Sequence, residues 1–570
     1  MADTTTIDTR VEVETPEHVA FRKEVAGPGS RGVAWALDTA LRAGVLLAIA
    51  TPILGIAGVS GMMGAGSGVL LVAWFLLDWG WFTAFEAFGG ASPGKRIMGL
   101  RVVREDGSPA GLREIFLRNL LRAADGLPVG YVVGVLAMGI DPRFRRLGDR
   151  LAGTLVVRTA VVHASAAQAR IVPPLTEEER RQLPTRPRVH TALRRALEAW
   201  LETGDRIGPI WLAAAADRAA KPILTPLGIA ARTQVRGLQM ALAAARAEVD
   251  DEGRFVARRQ LAWRELAREL DMHDGFGRDA ARLGRIVRGY RDLCADLGRF
   301  RDAAIPAHTL DELEALCARA HAVLYARPVN AQALDLGALG AFLFRDFPAT
   351  LWKNRAVVAA AAALLFVPLV ATAVLSASRP DFAVAVLPAE TRVSMEAAYS
   401  ETLARSSDDN AMMAGFYVDN NVGIALRAAA AGIFLGIGSA WVLLYNGVVL
   451  GAVAGYLFAL GHGGNLLRYT SGHTPWELGA TVIAGAAGLR LGIAIVVRHG
   501  RTVTGSLRAV GAEFAQMTGG AACMLLIAAS IEGFWSGSDV PDAARAVFAL
   551  GQYVLVAAWL SGRLARGSQR

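Results

Sequence analysis

Apolar runs long enough to cross a bilayer lie near both ends of the chain, and no other feature constrains its fold as much. A helix needs about 20 mostly apolar residues to traverse about 30 Å of hydrocarbon. Such runs cover Val33 to Val59 and Gly68 to Phe88, and later Ala356 to Ser376, Val422 to Leu444, Gly447 to Leu467, Trp476 to Val497, Gly519 to Trp535 and Ala543 to Leu560. A shorter run, Gly126 to Ile140, would rise only about 22 Å and is expected to be re-entrant or interfacial. Of 570 residues, 53% are hydrophobic and 19% charged, with a mean hydropathy of +0.35, which is not the balance of a soluble domain. The expected fold is an all-α integral membrane protein: a polytopic helical bundle of about eight spans plus one short segment, with a cytoplasmic helical domain in the middle.

The expected domains are a disordered start (1–20), a membrane domain (21–158), a proline-rich linker (159–190), an unassigned helical stretch (191–253), a helical bundle (254–354), a six-span membrane domain (355–562) and a basic tail (563–570). The linker carries Pro173, Pro174, Pro184 and Pro187. In the bundle, Leu283, Ile286, Tyr290, Leu293, Leu297 and Phe300 recur at spacings of three and four, as do Leu313, Leu316, Ala320 and Val323, and Trp263, Leu266 and Leu270. Those periods mark helix seams rather than a cofactor box.

No basic start precedes an apolar run, so no cleavable signal is expected. Arg22, Lys23 and Arg31, the arginine-rich stretch 95–122, residues 498–508 and the tail are basic, whereas the loop 377–421 carries seven acids against three arginines. The positive-inside bias then places both termini in the cytoplasm of a multi-pass bacterial inner-membrane protein. The net charge of +9 suits loops beside anionic membrane lipid and gives no reason to expect nucleic acid.

The chain has no phosphate-binding glycine loop, HExxH helix, GxSxG elbow or paired-cysteine spacing, so neither an ATPase nor a familiar hydrolase is expected, and no cofactor is called for. Ionisable residues within spans are the more informative signal, because they are costly unless paired or functional. Asp38 pairs with Arg42 one turn on, or offers a proton or cation site; Asp78, Glu86, Arg427 and Arg490 need partners that sequence does not name. In "HTPWE", Thr474 can cap a helix, Pro475 suits its first position, and Glu477 would complete a capping box, so structure alone could explain the glutamate. The alternative is an outer-face polar cluster of Asp419, Asn420, Asn421, Arg427, His473, Glu477 and Glu532 that docks a partner or lines a cavity. A zinc site of His462, His473, Glu477 and Glu532 is a third, weaker possibility in the absence of a paired metal motif.

Residues 21 to about 158 resemble the RDD membrane family. Arg31 and Asp38 in "RGVAWALD" match its arginine and first aspartate, Asp149 in "RRLGDRLAGTLVV" its second, and "ASPGKRIMGLRVV", with Pro93, Gly94 and Lys95, its "TPGK" loop. Residues from about 254 to 535 resemble the stage II sporulation protein M family through "YRDLCADLGRFR", "FYVDNNVGIALRAAAAGIFLGIGSAWVLLYNGVVLGA" (which includes Asn446), "HTPWELGATVIAGAAGLRLG" and "LLIAASIEGFWS". The second resemblance implies a non-enzymatic membrane scaffold for envelope partners, docked on the outer face or at the cytoplasmic helices. The first implies, as an alternative, cation/proton transport through Asp38. An intramembrane metal-dependent hydrolase is the remaining class. The oligomeric state is not legible.

Overall fold

The computed structural model describes residues 10–14, 20–126, 131–159, 175–183, parts of 193–200, 209–247, 250–272, 280–300, 307–325, 336–400, 406–538 and 540–561. They divide into two compact units: Val25–Arg104, Ala110–Val157 and Arg327–Arg570 form one; Met1–Glu24, Glu105–Pro109 and Arg158–Ala326 form the other. Most of the proline-rich linker and the whole basic tail lie outside the described residues.

The larger unit is the membrane body. Its long helices are α1 (Pro28–Ser60), α2 (Met63–Gly89), α3 (Arg355–Ser378), the more polar helical run α4 (407–433), α5 (Ile437–Ala459), α6 (Thr474–Val496), α7 (Val503–Ser536) and α8 (Asp542–Leu560). All except α4 are long and apolar enough to cross a membrane, seven helices among the described residues. Their directions show that α4 crosses as well. A side chain added at Gly447, Gly451 or Gly455 of α5 would strike the carbonyl of Leu365, Leu369 or Ala373 of α3 respectively, so α3 and α5 run parallel. The chain must therefore return between them. α4, about 40 Å long at 1.5 Å per residue, makes that return: Asn421 and Gly432 of α4 meet Glu477 and Gly488 of α6, and α6 is antiparallel to α5 through Gly485 beside Leu443 and Gly492 beside Gly436.

The expectation of eight crossings thus agrees in number but misplaces two of them. The reading of 422–444 and 447–467 as separate spans put a break at Asn446, which instead sits within α5 and donates to the Val442 carbonyl. The actual break is the tight turn before α5, where Leu435 and Gly436 adopt positive φ of 56° and 82°. The loop expected at 377–421 holds the short helices Pro380–Val386 and Ala389–Tyr399 and the first half of α4. Its aspartates hid a helix, because hydropathy scores side chains and not the faces they occupy.

Both resembling segments belong to this one body. α2 runs parallel to α4, with Gly68 against the Ala411 carbonyl and Gly415 against that of Gly68. Asp408 accepts from the Gly64 and Ala65 N–H groups at 2.7 and 2.6 Å, which gives the free N-terminus of α2 an anionic cap from another helix. A core of Leu117, Leu121 and Leu151 with Val510, Phe514 and Met517 continues the contact. Within the body α6 is central: 61% of its most apolar stretch is buried against 6% for α1, so α6 is enclosed by protein and α1 faces lipid. A two-stranded ribbon, Leu100–Arg104 with Thr154–Arg158, buries Leu100, Val102, Leu155 and Val156. The described part of the short segment is a nine-residue helix, Val132–Ile140, too short to span and exposing Val135, Leu136 and Ile140.

The smaller unit is helical apart from a hairpin. Helices Asp250–Asp271, Ala280–Phe300 and Ala307–Tyr325 bury Trp263, Leu266, Leu270, Ile286, Tyr290, Leu293, Leu297, Leu313 and Ala320 in one core, as their periods predict, although Leu283 is exposed. The unassigned stretch contributes Pro209–Leu227 and Gln234–Ala247, which share a second core of Ala216, Ala220, Leu224, Leu238 and Leu242. Residues 10–14, expected to be disordered, form a strand antiparallel to Ala20–Glu24, with Val11 and Val13 alternating with charge at the period of a strand.

Gly68→Leu should separate the two membrane halves and sharply reduce their chemical cross-linking, because any Cβ there collides with the α4 backbone. Gly32→Leu, with open space around it, should leave the cross-links and the unfolding midpoint unchanged.

Candidate functional sites at the two ends of the membrane body

At the end where α1 begins and α2 finishes, the signature residues of the N-terminal half meet in a buried ionic knot. Arg31 donates to Asp149 Oδ2 at 2.7 Å and to the Phe144 carbonyl at 2.8 Å. Arg118, fully buried on the helix Leu112–Leu120, bonds Asp149 Oδ1 at 3.0 Å and also pairs with Glu86. Lys95 and Asn119 complete the surroundings of Glu86. Burial alone would raise the Asp149 carboxyl, but Arg31, Arg118 and Arg146 together hold it well below the usual carboxylate range. Asp125, buried with Arg146 at 3.8 Å as its ion-pair partner, is pushed up by desolvation.

Asp38 does not pair with Arg42, contrary to the simplest reading of their spacing. It is buried and accepts from Ser92 Oγ at 2.5 Å, Gly94 N at 2.9 Å and Trp81 Nε1 at 3.1 Å. "SPGK" explains the geometry. Pro93 starts the short helix Pro93–Ile97, Gly94 lets it approach the Ala34 carbonyl where a Cβ would collide, and the exposed helix N–H turns to Asp38. Arg42 pairs instead with Asp78 at 3.1 Å. The partners of Arg490 are Asn354 at 3.0 Å and Glu513 at 3.1 Å.

The opposite end holds the second constellation. His473 Nδ1 lies 3.1 Å from Ser536 Oγ, and its Nε2 is 3.6 Å from Glu477 Oε2. Asn421 donates to Glu477 Oε1 at 3.0 Å, and Asn420 to Asn421 at 2.8 Å. Glu532 joins His473 and Glu477 with one ligand atom from each within 4.8 Å of the others. Burial lowers the His473 imidazole to about 4, so it is neutral. Two of the three contributing segments, Val418–Val422 and Ile531–Ser536, are π-helical turns, a form that recurs at functional sites. Tyr469, which bonds Tyr417 OH at 2.9 Å, walls the histidine edge-on.

The expected outer cluster is therefore assembled only in part. His473, Glu477, Glu532 and Asn421 converge and Asn420 adjoins them, while Asp419 lies half-buried on the same π-helical turn. Arg427 is elsewhere: it lines a cavity of about 350 Å³ with Arg42, Asp78, Phe82, Arg122 and Tyr131. Asn446 and His462 do not join the cluster. Nor does Glu477 form the expected capping box. The helix starts at Thr474, its N–H groups at 476 and 477 bond the His473 carbonyl, and Thr474 Oγ1 donates to Thr470 O, so the glutamate is turned across to α4. Ser536, Tyr469, Arg118 and Asn119 escaped the sequence reading. A buried arginine in an amphipathic helix has no local signature, and Ser536 is recognisable only once α7 is seen to end beside α6.

Comparison with known families agrees for the two membrane segments, but assigns the helices at 253–326, expected to belong with stage II sporulation protein M, to a separate domain. The model of the RDD family matches residues 25–153, that of stage II sporulation protein M residues 361–537, and a domain of unknown function (DUF8413) residues 253–326. No curated protein and no solved structure matches the chain.

Asp149→Asn should destabilise the N-terminal half by about 3–5 kcal/mol, since it leaves Arg31 buried without its anion and Arg118 with Glu86 alone. Denaturant unfolding in detergent measures this. An unchanged midpoint would show that the knot does not hold the fold.

Proposed function

We propose that this chain is a non-enzymatic scaffold of the bacterial inner membrane, with both termini in the cytoplasm, whose two membrane halves form one platform for an envelope partner. The observation that carries this reading is that the N-terminal half spends its signature ionisable residues on its own architecture. Asp38 accepts three hydrogen bonds, and Arg31 and Asp149 are locked in a buried pair, which leaves neither aspartate exposed to bind and release an ion. The close packing of α2 on α4 supports a rigid platform, and the basic loops support the orientation. The short helices Pro380–Val386 and Ala389–Tyr399, which follow α3 and expose Val384 and Val393, supply the docking face.

The competing reading, cation/proton transport, has one observation in its favour: the cavity that holds Asp78. Its lining sets Arg42, Arg122 and Arg427 against that single carboxylate, and such a field repels cations.

The reconstituted wild type should show no sodium-, potassium- or lithium-driven proton movement above empty liposomes. Flux that disappears in a folded Asp78→Asn variant would establish transport instead. A photo-crosslinker at Val384 or Val393 should capture an extracytoplasmic enzyme that leaves the membrane fraction when this chain is deleted; an enzyme whose location ignores the deletion would refute the scaffold.

A further inference from the structure

We infer that His473, Glu477 and Glu532 form a binding site for one divalent transition-metal ion, with zinc the best match to the donors. One nitrogen and two carboxylate oxygens within 4.8 Å of one another can all reach a single ion after small side-chain rotations, given bonds of about 2.0–2.2 Å. Imidazole and carboxylate together suit first-row transition metals rather than calcium or magnesium, which take oxygen alone.

A second observation, independent of proximity, points to a ligand. The His473 side chain is 3% exposed and its Nδ1 is engaged by Ser536 Oγ. With Ser536 accepting from Nδ1–H, the lone pair of Nε2 is directed into the cluster. Its nearest carboxylate oxygen is 3.6 Å away, beyond hydrogen-bonding distance. A buried imidazole nitrogen held in this way, with its other nitrogen fixed by a hydroxyl, is the arrangement of a metal-ligating histidine and its supporting partner. Glu477 is prepared similarly: Asn421 occupies Oε1 at 3.0 Å and leaves Oε2 facing the histidine.

The donors come from the start of α6 and the π-helical end of α7, while Asn421 comes from the π-helical turn of α4. An ion there ties α6 to α7 at the end of the bundle where α6 begins, with α4 linked to it through the Asn421–Glu477 hydrogen bond. With three protein ligands, a fourth position on zinc stays open to water or to a partner's side chain. The inference does not depend on the scaffold reading, because the site would bind metal whether or not a partner docks.

The test uses the full chain in detergent, with any affinity tag removed, stripped by a chelator and equilibrated with Zn²⁺ or Co²⁺. Elemental analysis after desalting should find about one zinc per chain, and the Co²⁺ form should show the intense visible bands of a four- or five-coordinate ion. His473→Gln, Glu477→Gln and Glu532→Gln should each abolish stoichiometric retention. Ser536→Ala, which touches no ligand bond, should weaken affinity by about 10- to 100-fold. Wild-type protein that retains no more metal than the triple variant would overturn the site, as would stoichiometric binding that survives any of the three glutamine substitutions. If those variants fail to fold, as judged by gel filtration, the wild-type cobalt spectrum decides alone: strong bands support the site and their absence refutes it.

Discussion

Everything in the membrane body rests on backbones brought closer together than side chains would allow. In lipid, apolar surface gains nothing by leaving one apolar surrounding for another, so helices associate through close dispersion contact and whatever polar bonds that contact permits. Gly447, Gly451 and Gly455 press α5 on α3, Gly488 and Gly492 press α6 on the turn between α4 and α5, and Gly68 with Gly415 closes α2 on α4. A methyl group at any of these points would meet a carbonyl or a neighbouring backbone atom. The small-residue faces also bring polar side chains of different helices within bonding range, and both constellations exist because of that.

Much of this was legible because lipid demands a coarse code. Length and apolarity identify α1, α2, α3, α6 and α8 within a few residues. The same code failed at α4, where Asp408, Asp409, Asp419, Asn420 and Asn421 lie in a helix and Asp408 and Asn421 find partners on α2 and α6. It also failed at the α4–α5 turn, where the determinant is a positive φ at Leu435 and Gly436 and not a change of composition. Heptad-like seams in the smaller unit were readable because a single face decides burial there.

The site residues were legible as types but not as partners. Asp38 and Arg42 are spaced for a helical ion pair, yet each finds a better partner on another element, Asp38 at the N-terminus of Pro93–Ile97 and Arg42 at Asp78. Local spacing gives what is possible within a helix, and tertiary approach selects among the possibilities. Arg427 shows the same lesson: the helix that carries it was assigned the wrong limits, and so it was placed at the wrong depth. His473, Glu477 and Glu532 lie together, and their proximity was legible because each sits at the end of a well-delimited apolar run.

The polarity of α4 also has a consequence for how the body is made. A segment with three aspartates, an arginine and three asparagines does not partition into hydrocarbon by its own hydropathy, since each charge near the centre of a span costs about 2.5–3.5 kcal/mol on insertion scales. It enters the bilayer only against protein that already offers partners. α2 is synthesised more than 300 residues earlier and presents a glycine face with two free N–H groups that Asp408 can satisfy. The N-terminal half is therefore already in place when that helix emerges, and in the reverse order along the chain the reluctant helix would reach the membrane before the surface that receives it.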